Sequence, residues 1–144
     1  MSYNYNSSEP IKISLKNLEE RERNLLSQSK TFCMYPWIHL HAYPTGEAYP
    51  CCHAEMGVGQ VGNCKTNTMQ EIWNSPEQKQ LRKDMLTETK NEACGRCYEQ
   101  EESGFFSGRQ SANKHHGHHI HRTQNTTEDG EHKDFEMTYW DIRF

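Results

Sequence analysis

From Trp37 to Tyr43 the chain alternates, with Ile38, Leu40 and Ala42 on one side and His39, His41 and Tyr43 on the other. That period of two predicts a half-buried strand whose histidines face solvent or a partner. Pro44-Thr45-Gly46 supplies turn chemistry, and Glu47 to Cys52 reads as the returning strand of a β-hairpin. Upstream, Ile11, Leu15, Leu18, Leu25 and Leu26 recur among charged residues, which predicts a short amphipathic helix within residues 11–26 behind a polar start. Gly57, Gly59 and Gly62 punctuate a loop. Thr68 with Glu71 forms a capping-box pattern over Met69 to Trp73, and Ser75-Pro76 with Gln78 forms another with proline at the first helical position. The second of these helices is expected to reach about Thr89, with Leu81 and Met85 inward and Lys79, Arg82 and Lys83 outward. From Ser111 to Asp134 histidine, asparagine, threonine and charge replace any apolar period, as in a flexible insert. Trp140, Ile142 and Phe144 then alternate as in a strand.

These elements predict an α+β fold, a small β-hairpin plus helices around one four-cysteine site. The expected organisation is a helical extension at 1–30, a central domain at 31–110, a His-rich flexible insert at 111–134 and a terminal strand at 135–144. Composition narrows the picture further: 144 residues with 33% hydrophobic and 25% charged content can build one modest core. A metal-based staple suits such a chain. The net charge of -4 offers no broad basic surface, so nucleic acid is not an expected partner. No run of about 18 apolar residues predicts a membrane span. The first residues carry neither a basic nor an apolar segment of secretory type, which points to a reducing, cytoplasmic setting. The even count of six cysteines is therefore read against a disulfide framework.

The candidate chemistry lies in those cysteines. Cys94 and Cys97 form a Cys-x-x-Cys pair, and Cys33 and Cys51 flank the hairpin, so two pairs of soft thiolates can close on one centre. Thiolates suit zinc as well as iron–sulfur clusters, and residue chemistry leaves both open. His53, beside Cys52, is a less favoured alternative ligand. His115, His116, His118, His119 and His121 crowd together, but a flexible insert without fixed geometry binds metal weakly. Arg109 reads as solvated, with a partner domain or an anionic substrate as its functional alternative. Glu99, Glu101 and Glu102 show no pairing that would argue for acid–base catalysis.

The order of motifs goes beyond the cysteines. Phe32-Cys33-Met34-Tyr35-Pro36-Trp37, Gly46 to Cys52, Gly62-Asn63, Glu71-Ile72-Trp73-Asn74-Ser75, Leu81-Arg82 and Cys94-Gly95-Arg96-Cys97 follow one another over about residues 32–109. This order resembles the SPASM/twitch family, the auxiliary iron–sulfur modules of radical S-adenosylmethionine proteins. The resemblance implies Cys33, Cys51, Cys94 and Cys97 as ligands of one 4Fe-4S cluster, with Cys52 as the alternative to Cys51. The two adjacent residues would face opposite sides of a strand, and the spacing from Gly46 favours Cys51. Further cysteines for a second cluster do not follow the Cys-x-x-Cys, which makes the pattern twitch-like. The catalytic Cys-x-x-x-Cys-x-x-Cys motif of the superfamily does not occur in these residues, so the expected role is accessory, with no catalysis by this chain alone. The implied partners are a radical S-adenosylmethionine barrel domain or protein and a peptide or protein substrate. The different-class alternative is a structural four-cysteine zinc module acting in protein interaction.

Overall fold

The computed structural model describes residues 19–133 and the backbone of Tyr139–Ile142. Helix α1 spans Glu20–Ser27, overlapping the end of the predicted amphipathic stretch, whose residues 11–18 lie outside the described part. A 3-10 turn at Tyr35–Trp37, with Pro36 fixing its backbone, takes Trp37 out of the expected strand. Strand β1 therefore runs only over His39–Ala42. Strand β2, Glu47–Tyr49, returns antiparallel with His41 opposite Tyr49 and Ala42 opposite Ala48. The turn between them needs Gly46, whose φ of 105° is a conformation that favours glycine and whose place a Cβ could not share with the Asn63 side chain.

The sheet is wider than a hairpin. A short third strand β3, Gly62–Asn63, pairs with β2, and β4, Tyr139–Ile142, pairs parallel with β1, in the order β3-β2-β1-β4. Since β1 is central and both its faces are covered, all four of its residues are buried. That corrects the expectation of a half-buried strand: His39 and His41 are interior, His41 only 1% exposed. Tyr35 lies 5.0 Å from the His39 ring and Tyr43 4.7 Å from His41, centroid to centroid. The terminal strand predicted from Trp140 and Ile142 is present at Tyr139–Ile142.

Helix α2, Met69–Trp73, opens on the capping box of Thr68 and Glu71. Helix α3, Pro76–Leu86, opens on Ser75, whose hydroxyl accepts from the Gln78 N–H, while Pro76 sits in its first turn. Leu81 and Met85 point inward as expected. Arg82 does too, against the sequence reading. Its guanidinium is fully buried and donates to Pro36 O at 2.9 Å, Trp73 O at 2.6 Å, Asn74 Oδ1 at 2.9 Å and Gly130 O at 3.2 Å, 4.9 Å from the Trp73 ring centroid. Oxygen acceptors satisfy the charge that burial would otherwise penalise.

Helices α4, Gly95–Glu102, and α5, Gly108–His116, follow, and α5 runs into a 3-10 coil at Gly117–Asn125. The segment expected as a flexible insert is thus ordered helix and coil. Ser107 and Gln110 start α5 with a capping box, Ala112 and Ile120 enter the main core, and His115, His116 and His132 are buried. Thr126 and His132 accept from the indole N–H groups of Trp37 and Trp73. The apolar period is hidden because histidines occupy interior positions that aliphatic residues would otherwise mark. The result is an α+β domain with one core around Phe32, Met34, Trp37, Leu81, Met85 and Ile120 and another around Leu40, Ala48, Ile72 and Trp73.

Candidate metal centre

Proline 50 has no N–H to give a sheet, and β2 ends at Tyr49, so Cys51 and Cys52 leave the strand in a turn. Cys51 turns into a cavity under the hairpin, and Cys52 is exposed. Cys33 enters the same cavity from the segment before the Tyr35–Trp37 turn. Cys94 and Cys97 enter from the start of α4, where Asn91 caps a 3-10 turn over Glu92–Cys94. The four thiols, separated by up to 64 positions along the chain (33 to 97), line one cavity with Pro36, Pro50, Leu81 and Met85 among its apolar walls. Cys51 and Cys52 diverge at this turn, not by the strand alternation the sequence invoked.

The thiols raise one another's pKa. Burial pushes the Cys33 thiol far above the ordinary range, and Cys51, Cys94 and Cys97 add to the shift. Burial pushes Cys51 up as well, with Cys94 the next contributor. Cys94 rises to about 12 through burial and the neighbouring Cys97, and Cys97 rises through burial. Main-chain N–H groups work against these shifts: Tyr35 toward Cys33, His53 toward Cys51, and Arg109 and Gly108 toward Cys97. Backbone donors aimed at sulfur are what a bound thiolate needs.

The donor set fits an iron–sulfur group: four soft thiols, a dry apolar wall and N–H donors to sulfur. Among the described residues no group of three or more His, Cys, Asp or Glu side chains is arranged to hold one metal ion. That holds for the histidine-rich stretch too, although His118 and His119 lie 4.1 Å apart by ring centroid.

A family model described as the SPASM iron–sulfur cluster-binding domain matches residues 33–98. This segment is similar to a SPASM domain. No curated protein and no solved structure matches the chain. The SPASM match begins on the first thiol of the cavity and ends one residue after the fourth.

Around that SPASM segment the structure adds residues the sequence reading missed. Tyr98 accepts from the Asn91 N–H at 3.2 Å and bonds the Cys94 thiol. Asn113 on α5 accepts from the Met34 N–H at 3.0 Å and donates to Phe32 O at 2.9 Å, bracketing Cys33. Gly108 lets the start of α5 lie against His53, whose ring a Cβ there would strike. The Ser107-x-x-Gln110 capping pattern was the signal in the sequence for α5. Arg109, expected in solvent, is buried and bound to Glu101. His53 lines the cavity, half-buried, and Cys64 is exposed with Met69 Sδ 4.0 Å from its sulfur.

Proposed function

We propose that the domain binds one 4Fe-4S cluster through Cys33, Cys51, Cys94 and Cys97 and serves as an auxiliary electron-relay or structural module of a radical S-adenosylmethionine protein in the cytoplasm. The observation that carries the reading is the gathering of these four thiols, and neither Cys52 nor Cys64, on one apolar cavity. The cluster supplies one-electron redox chemistry when bound. The protein's own part is to keep the thiols dry, donate N–H groups to their sulfurs and fix their spacing through α4 and α5.

Four cysteines on one cluster leave no iron position open for substrate, which favours relay or support over substrate binding. Partner and substrate follow from the family resemblance: a radical S-adenosylmethionine barrel domain or protein, with a peptide or protein as its substrate.

Anaerobic purification and reconstitution test the reading. The protein is expected to be brown, with about four irons and four sulfides per chain. A colourless protein carrying one zinc contradicts it.

A further inference from the structure

Beyond the residues matched by the SPASM model, Arg109 and Glu101 form an ion pair beside the thiol cavity. Arg109 is nine-tenths or more buried and its fork is fully engaged: Nε and Nη2 donate to Glu101 at 2.8 and 2.5 Å, and Nη1 donates to Ser29 O at 3.1 Å and Phe32 O at 2.9 Å. Glu101 accepts further from the Ser107 hydroxyl at 2.6 Å. The pair has a direction. Arg109 lines the cavity with Cys33 and Cys97, whereas Glu101 lies one turn along α4 from Cys97 and does not line it. A cation therefore borders the sulfurs, and its balancing carboxylate, outside the cavity lining, acts on Cys97 with the opposite sign.

The fork also joins the two halves of the site. It ties the loop before Cys33 to the helix that carries Cys97. Charges in a dry site are little screened, so the removal of either one acts strongly on a neighbouring redox centre.

Resting on the function proposed above, we infer that Arg109 is a positioning residue whose cation, balanced by Glu101, sets how tightly the four-cysteine centre holds a transferred electron. In the step concerned, a one-electron donor of flavin or iron–sulfur type is oxidised and the centre gains one negative charge. No bond forms or breaks. Loss of the Arg109 charge then weakens the hold on that electron, and loss of the Glu101 charge strengthens it. A purely structural pair would not give shifts of opposite sign.

The test is a redox titration of the full chain, reconstituted anaerobically, followed by absorbance and electron paramagnetic resonance. The samples are the wild type, Arg109→Gln, Glu101→Gln and Arg109→Lys. Arg109→Gln is expected to lower the electron affinity about tenfold, 59 mV for one electron, and Glu101→Gln to raise it by a similar factor. Arg109→Lys is expected to stay near the wild-type potential but to release iron faster to a chelator, because a lysine cannot replace the fork. Shifts of the same sign, or no shift in either charge-removing variant, overturn the inference. Should Arg109→Gln fail to fold, a Glu101→Gln potential at or below wild type overturns it alone, and one above wild type supports it. A wild type that takes up no cluster refutes the function proposed above, and a wild type that loads while its variants keep its potential refutes only this inference.

Discussion

Single residues decide the interior of this domain in ways their types conceal. Histidine is the clearest case: His41 and His116 are buried among aromatic and imidazole rings, where a short sequence window reads them as solvent-facing. Burial, then His115 and His39, lowers the His116 pKa from 6.5 to about 4. The neutral ring is thus favoured in the fold, and between those two pH values the unfolded chain binds more protons than the folded one. Stability from this group is complete above pH 6.5 and falls as the pH drops toward 4, by on the order of 2 kcal/mol. Urea titrations across that window are expected to show a shallower acid loss in His116→Asn than in the wild type. An unchanged slope would remove His116 from the account.

At the scale of elements, α5 changes the picture most. The segment it opens has the composition of a linker, yet Ala112 and Ile120 reach the core and Asn113 brackets Cys33 with a bond to each neighbouring residue. The capping patterns at Thr68 and Ser75 were readable because they are local and carry their partner within three residues. Strand β1 was readable as a strand but not as a central one, since the partner on its far side, β4, lies about a hundred positions away (Leu40 opposite Trp140). Arg82 and Arg109 were misplaced for the same reason: their carbonyl, amide and carboxylate partners lie eight or more positions away, and only the fold brings them together. If α5 holds the Cys33 arm, Asn113→Ala should destabilise the domain by about 1–3 kcal/mol and speed iron release to a chelator. Equal release rates in the variant and the wild type would make α5 a bystander to the site.

For the whole molecule, the sequence order pointed to the four thiols that share one cavity, and what was hidden was their support. The cysteine spacing and its intervening glycine, proline and tryptophan positions identified the segment that the family model matches at 33–98. The turn at Pro50 that separates Cys51 from Cys52, and the helix beyond residue 98 that clamps Cys33, depend on the tertiary structure. Among the described residues no helix is long and apolar enough to cross a membrane. The central claim is that four particular thiols, and not the remaining two, hold one cluster. Iron and sulfide per chain, measured after anaerobic reconstitution in six single cysteine-to-serine variants, tests it most directly. Substitution at Cys33, Cys51, Cys94 or Cys97 is predicted to lose most of the cluster, and Cys52→Ser and Cys64→Ser are predicted to keep the wild-type content. Full loading in Cys51→Ser together with loss in Cys52→Ser, or loading indifferent to all six, would contradict the account.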